Sequence, residues 1–403
     1  MEKVAKKSVP VAAVSGILLL FVVAHFGHHL VSAILSPLMP YIRSDFNLTF
    51  TQIGFLHSAF SLSYGFSQVP LGWLSDRLGR RVLITLGISG MALFAFLIGF
   101  APNYYFMMAC LILMGIMGGG YHPASAPLVS ATADPSQRGK ALGIHQLGGT
   151  GSQLISPLVA AGVVTLWGWR GSYISVGIGT FLLGAVLFLL LKGNRQGGKT
   201  VAKVATESKP KERLSSSFLV RMIAFLIFSS VVQGLIGSTI SLSTLFLVDR
   251  FAVSKQLAVT MYTLVTAGGL LGGPVGGYLS DRIGSLKIVL FLSLLAVPVI
   301  YLFTVVPFSY LTVGLLLAAA GMCQWGRMPV SEAYIMNETS EQGRSTILGI
   351  YYAGGRALPG LISPVVGIIT DRWGLGTSYT AIAIAIAVLT VVCFPFVLQK
   401  KKA

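Results

Sequence analysis

His25 and His29 stand four residues apart in an apolar run, with His28 between them. A helix puts His25 and His29 on one face and His28 beside them. Imidazoles at that spacing can relay protons or ligate a metal ion. His122 follows three glycines and precedes Pro123, and His145-Gln146 lies in a further apolar run. All six histidines, including His57 near the end of its segment, belong to the first half of the chain. The second half carries a different set: Gln233, Gln324, Arg327, Glu332 and Arg356, all within apolar segments. An arginine stays charged in hydrocarbon, so it needs a counter-anion from the protein or from a substrate. Glu332 follows Arg327 by five residues, about 140° around an ideal helix, so the two do not pair directly unless Pro329 distorts the turn. Two arginines against one carboxylate leave a positive site, suited to a small organic anion such as a carboxylate or phosphonate. Either arginine can instead tie backbone carbonyls at a helix break. Glu332 is a candidate proton carrier, or a local structural partner near the end of its helix.

No cluster of acids or cysteines accompanies the histidines, so no metal site and no cofactor is expected. Cys110, Cys323 and Cys393 lie in apolar runs without ligand spacing and read as core residues. His57 is expected to be peripheral. Proton coupling falls to Glu332, His25 and His122. Substrate contact falls to Arg327, Arg356, His122, Gln233, Gln324, His145, Gln146 and His29.

The elements that must position these groups follow from composition. The 403 residues are 54% hydrophobic and 10% charged, with a mean hydropathy of +0.80. A soluble domain carries roughly 25% charged residues, so lipid is the expected solvent. A transmembrane helix needs about 20 mostly apolar residues. Twelve such segments occur, near 10–38, 50–72, 81–100, 104–131, 138–165, 170–191, 218–248, 255–279, 286–304, 309–336, 343–369 and 375–397. The first is too long and too rich in histidine for a cleaved signal peptide. Strict alternation over short segments, the mark of an outer-membrane barrel, is missing.

Charge gives the expected orientation. The chain has 29 Lys and Arg against 12 Asp and Glu, a net charge of +17. With the N-terminus inside, twenty-two of the basic residues fall on inner segments and five on outer loops, namely Arg43, Arg170, Arg250, Lys255 and Arg372. Cytoplasmic loops collect Lys and Arg, so both termini are expected in the cytoplasm of a bacterial-type inner membrane. The excess charge is then a topology signal and implies no nucleic-acid partner. The long polar stretch 192–217 divides the spans six and six. The organisation is therefore an N-terminal six-helix bundle (1–191), a cytoplasmic linker (192–217) and a C-terminal six-helix bundle (218–403).

Polar content sorts the spans. The third, sixth, ninth and twelfth hold no ionisable, histidine or amide group in their interiors and are expected to face lipid. The first, fourth, fifth, seventh, tenth and eleventh carry the candidates above.

The halves repeat. Gly72 to Gly79 (GWLSDRLG) returns as Gly277 to Gly284 (GYLSDRIG), 205 residues later, and Arg138 to Ile144 returns as Arg344 to Ile350. Ser156-Pro157 returns as Ser363-Pro364, and Pro123 as Pro329. In this register His122 corresponds to Arg327, and Thr150 to Arg356. Parallel six-helix repeats with a site between them are a transporter architecture.

Gly72-Trp73-Leu74-Ser75-Asp76-Arg77-Leu78-Gly79-Arg80-Arg81 closely resembles the loop 2–3 signature of the major facilitator superfamily, and the resemblance covers essentially the whole chain. The second copy keeps one of its three basic-end positions, at Lys287. The resemblance implies an all-α polytopic membrane protein of 12 transmembrane helices in two pseudo-symmetric six-helix bundles that rock about a central site. It also implies a cytoplasmic latch of Asp76, Arg77, Arg81, Asp281 and Arg282, with helices 1, 4, 7 and 10 lining the cavity. Gly118 to Pro123 (GGGYHP) and Gly143 to Gly151 (GIHQLGGTG) are similar to the fosmidomycin-resistance-like branch. The latter stretch approaches the antiporter motif of the fifth helix, departing from it where Ser156 replaces a glycine.

A secondary active transporter of a small organic anion is the expected function, proton-coupled and monomeric in the bilayer. A drug/proton antiporter for apolar or cationic compounds is the alternative; its cavity should offer an acid and aromatics without two arginines. No phosphate-binding loop of the GxxxxGK[ST] type appears, and no catalytic set is in view, so an enzyme is not expected.

Overall fold

The computed structural model describes residues 16–131, 138–191, 216–339 and 341–397, and the side chains of Asp76, 131, 138–140 and 341–346 lie outside that description. Every element among the described residues is helical. The first half holds α1 (Gly16–Ser32), α2 (Leu35–Phe46), α3 (Phe50–Leu78), α4 (Arg80–Thr85), a π-helical turn (Leu86–Gly90), α5 (Met91–Ile98), α6 (Tyr104–Gly118), α7 (Tyr121–Ala131) and α8 (Arg138–Leu190). The second half holds α9 (Ser216–Phe251), α10 (Lys255–Ile283), α11 (Ser285–Val305), α12 (Tyr310–Glu338) and α13 (Glu341–Val397). Most of the stretch 192–217 lies outside the described residues; α9 begins two residues before its expected end.

Among the described residues, eight helical segments are long and apolar enough to cross a membrane. Two of them, Ala141–Leu190 and Ile347–Val397, run 50 and 51 residues and turn at Gly168 (φ 65°, ψ −178°) and Gly374 (φ 84°, ψ 165°). α3 and α12 are 29 residues each but too polar to be counted among the eight. The segments without interior polar groups present their side chains outward, as Leu182 (58% exposed), Leu189 (66%), Phe291 (54%) and Val391 (69%) do. A continuous apolar exterior of this kind belongs against lipid.

Local chemistry explains the breaks. Thr49 and Gln52 form a reciprocal capping box that starts α3. Asn103 accepts from Phe106 N at 3.0 Å to start α6, and Ser254 accepts from Leu257 N at 3.2 Å to start α10. Pro37 and Pro123 each occupy the third position of a helix, α2 and α7. Each lacks the N–H that would have continued the preceding helix, so α1 stops before α2 and α6 stops at the glycines before Tyr121.

The internal repeat extends to the backbone. Left-handed φ occurs at Asn47 and Ala252 (52° and 53°), at Gly79 and Gly284 (93° and 103°), and at Gly168 and Gly374 (65° and 84°). Each pair stands 205 or 206 residues apart, the register of the sequence repeat.

The halves meet along α3 and α13, α8 and α10, and α2 and α9. At Gly54 the approach leaves no room for a side chain: a Cβ there would lie 2.6 Å from Pro364 Cα. Polar ties between the halves gather toward the predicted outer end. Asp371 accepts from Phe50 N and Thr51 N, both at 2.8 Å, at the start of α3. Arg43 pairs with Asp249. Gln256 Nε2 donates to Ala161 O at 2.8 Å, and Thr244 Oγ1 to Ser36 O at 3.1 Å.

Candidate functional site

Five histidines from three helices form one cluster. α1 supplies His25, His28 and His29, α7 supplies His122 in its first turn, and α8 supplies His145. His25 stacks on His145 with ring centroids 4.2 Å apart. It stands 4.7 Å from His29 and 5.2 Å from His122 by the same measure. The approach of α8 to α1 requires glycine at 149, where a Cβ would lie 2.7 Å from His25 Cε1 and 3.0 Å from His29 Cδ2. The glycine pair 148–149 thus lets two polar helix faces meet.

Most of these imidazoles have partners within the first half. His25 Nδ1 lies 2.9 Å from the carbonyl of His145, which can only accept, so His25 carries its proton there. His28 uses both nitrogens: Nδ1 donates to Gly87 O at 3.0 Å, and Nε2 accepts from Tyr64 Oη at 3.1 Å. His145 Nε2 lies 3.0 Å from Tyr121 Oη. His29 Nδ1 is 3.5 Å from Ser32 Oγ. The buried Nε2 atoms of His25 and His122 have no hydrogen-bond partner. His57 departs from expectation. It is buried, with Nε2 unpartnered, and it lies with Ser238 and Ser363 around a small void where α3 meets the second half. It lies in the third turn of α3, against which α13 packs.

The second half is built around Arg327 on α12, which has no solvent exposure. Its Nη2 donates to Ser229 O at 3.5 Å, a long bond, while Nε and Nη1 have no partner. Its Cζ lies 5.8 Å from the Phe228 ring centroid. Ser229 Oγ and Ser331 Oγ are 2.9 Å apart, with Tyr351 beside both and beside Arg327. Glu332 turns away from Arg327 toward Tyr352, as the helical angle between them requires. Gln324 is buried near Gly237 with Oε1 unpartnered. Gln233 is half-buried on α9, and Gln146 is exposed on α8.

Arg356 joins the two sets. It lies on α13 against Gly65 of α3, and its Cζ sits 5.4 Å from the Tyr64 ring centroid. Tyr64 in turn bonds His28, so a second-half cation reaches the first-half cluster through one phenol. Tyr64, Tyr121, Tyr351, Ser229 and Ser331 were not among the expected site residues. Hydroxyl groups are common in apolar spans and carry little signal alone; the adjacency of Tyr121 to His122 was the one available cue.

The expected latch residues are seen only in part. Arg77 lies over Trp73, at 3.7 Å, and Arg282 over Tyr278, at 4.4 Å, each on its own helix. Arg81 Nε donates to Phe188 O at 2.7 Å within the first half. Asp281 is exposed, and the side chain of Asp76 lies outside the described residues.

An all-helical exterior suited to lipid, enclosing charged and imidazole groups on helices that meet between two repeated halves, defines a multi-pass membrane transporter. The chain belongs to the Major Facilitator Superfamily, whose family model matches residues 21–364 and 226–403. It is 25% identical over 390 residues to an uncharacterized MFS-type transporter, YfnC, of Bacillus subtilis (strain 168), covering 95% of this chain and 92% of that one. It is also 25% identical over 388 residues to the fosmidomycin resistance protein of Escherichia coli (strain K12), covering 90% and 88%. Among solved structures, a bacterial homologue of the human lysosomal transporter Spinster, in an inward-facing and occupied conformation, superposes with a TM-score of 0.74. That match has 16% identity and covers 94% of this chain and 95% of the other. The protein is a transporter and not an enzyme.

Proposed function

We propose that the protein is a secondary active transporter of a small organic anion, coupled to protons. It works as a monomer by alternating access between two six-helix bundles, residues 1–191 and 218–403, that together cross the membrane twelve times. The turns at Gly168 and Gly374 support this count, since each divides a segment long enough for two crossings. Both termini face the cytoplasm of a bacterial-type inner membrane, as the distribution of basic residues indicates.

One observation carries the anion assignment. Arg327 is fully buried, two of its three guanidinium nitrogens have no partner, and none of the described ion pairs includes it. A guanidinium in hydrocarbon retains its charge and its forked donors, and a carboxylate or phosphonate supplies both the counter-charge and the acceptors. Arg356, at the junction of the halves, provides the second cation. Gln324, Gln233, His122, His29, His145 and Gln146 supply neutral polar contacts. Glu332, His25 and His122 carry the protons, and Asp76, Arg77, Arg81, Asp281 and Arg282 form a cytoplasmic latch that is broken and remade between conformations.

Uptake into proteoliposomes of a panel of carboxylates, phosphonates and cationic drugs, with and without an imposed pH gradient, tests this assignment. An anion should be concentrated only when the gradient is present. A cationic substrate, or unchanged anion uptake in both Arg327→Ala and Arg356→Ala, overturns it; the cationic result would favour drug/proton antiport.

A further inference from the structure

Three of the five clustered histidines are arranged differently from the other two. His28 has both nitrogens engaged, and His145 uses Nε2 on Tyr121. His25, His29 and His122 keep lone pairs available, and one ligating nitrogen from each lies within 4.8 Å of the others. We infer that His25, His29 and His122 form a binding site for a first-row transition-metal ion of the Co²⁺, Ni²⁺, Cu²⁺ or Zn²⁺ kind.

The arrangement of His25 matches the support a metal ligand needs. Its Nδ1–H is fixed on the His145 carbonyl at 2.9 Å, which leaves Nε2 as a neutral lone pair, buried and unpartnered. Ligating histidines are held in this way, by donating their other N–H to a carbonyl. His122 Nε2 is likewise buried and unpartnered. Nitrogens held at about 2.0–2.1 Å from a tetrahedral ion stand roughly 3.3 Å apart, so the three converge by side-chain rotation of an ångström or so. Gly149 forms the wall behind His25 and His29, where any Cβ would press on both rings. The sequence showed the pair on α1 without further ligands; the break at Gly118–Gly120 turns His122 of α7 toward it.

Chemistry also selects the ion. No carboxylate belongs to the group, and the charged residue facing it is Arg356, above Tyr64. A site with neutral nitrogen donors under a positive field disfavours hard cations held by charge, such as Na⁺, Mg²⁺ and Ca²⁺. Imidazole suits Zn, Cu and Ni ions. Three ligands leave a fourth position open, as in sites that exchange their ligand. Protons compete for the same nitrogens in acid, so binding weakens as the pH is lowered. The site shares His29 and His122 with the proposed substrate contacts and His25 and His122 with the proposed proton carriers, but metal binding requires neither Arg327 nor any transport, so it can fail or hold independently of the anion assignment.

The experiment is a Co²⁺ titration of tag-free, chelator-stripped protein in detergent, followed by visible absorption. One equivalent should give the intense bands of a four-coordinate ion, displaced by Zn²⁺ and unaffected by millimolar Mg²⁺. His29→Gln and His122→Asn should each weaken binding tenfold or more, while His57→Gln, outside the cluster, should leave it unchanged. Retention of the bands in the His29→Gln/His122→Asn double variant would overturn the site. X-ray absorption of the Zn²⁺-loaded wild-type protein reads the ligands without any substitution. Three imidazoles are expected, and fewer than two overturn the assignment even if the variants fail to fold.

Discussion

The two halves share a backbone plan and differ in how their buried polar groups are satisfied. In the first, His28, His145 and His25 bond to Gly87, Tyr64, Tyr121 and the His145 carbonyl, all from the same half. In the second, Arg327 stands 205 residues after His122 and has one long bond to Ser229. The left-handed turns repeat within about 20° of φ because any chain that folds into these helices needs those caps. The polar side chains do not repeat: the helix caps do not constrain them. Duplication preserved the geometry and left the chemistry free to diverge, with a neutral nitrogen cluster on one side and an unanswered cation on the other.

Arg327→Lys should produce the largest effect. Lysine keeps the charge but loses the fork. Losing a hydrogen bond to a charged partner costs about 1.5–3 kcal/mol, or roughly ten- to a hundredfold in transport. Initial uptake rates in proteoliposomes at fixed pH gradient measure it. A lysine variant with near-normal uptake would show that position 327 needs only a charge and would weaken the contrast between the halves.

Much of this contrast was legible beforehand, for physical reasons. Ionisable groups in hydrocarbon are rare and costly, so His25, His29, His122, Arg327, Glu332 and Arg356 stood out by type alone. The repeat placed His122 against Arg327. Contacts between helices were a different matter. That His145 stacks on His25, that Glu332 turns to Tyr352, and that Tyr64 lies between Arg356 and His28 depend on which helix faces meet. Glycine patterns such as 148–149 mark a close approach without naming the partner. His57 is buried for the same reason: α13, some three hundred residues distant in sequence, packs on α3.

Paired glycine substitutions sharpen the comparison at the next level. Gly149→Ala adds a methyl 2.7 Å from His25 Cε1, whereas Gly355→Ala on α13 adds one with nothing within 4 Å. The first should destabilise by about 1–3 kcal/mol, as overpacking does. The second should be neutral or stabilising by up to about 1 kcal/mol, since alanine is the better helix former. Thermal unfolding in one detergent compares them directly. Equal effects would mean that the histidine cluster is no more tightly packed than the arginine half.

Tyr121→Phe removes the phenol 3.0 Å from His145 Nε2 while keeping the ring that stacks on His28 at 4.6 Å. The expected loss is about 1 kcal/mol, read by the same unfolding assay. Uptake by a variant that binds the anion normally should change little, because Arg327 and Arg356 are untouched. A large uptake defect with unchanged stability would move the phenol from the framework of the cluster into the transport path.

The smallest effect is expected where the halves meet at the predicted outer end. Arg43 and Asp249 form an ion pair whose side chains are 29% and 33% exposed, so water screens it. Arg43 also donates to Leu48 O at 3.3 Å and lies over Phe50, which means that its removal alone would report more than the pair. A double-mutant cycle with Arg43→Gln and Asp249→Asn isolates the coupling. It should lie between about 0 and 1 kcal/mol and shrink as salt is raised from 0.05 to about 0.5 M. A coupling near 3 kcal/mol, insensitive to salt, would require a dry contact and would break this account. A weak tie is also what the proposed alternating access requires, since a contact between halves that opened in every cycle could not hold them more firmly than substrate binding can release.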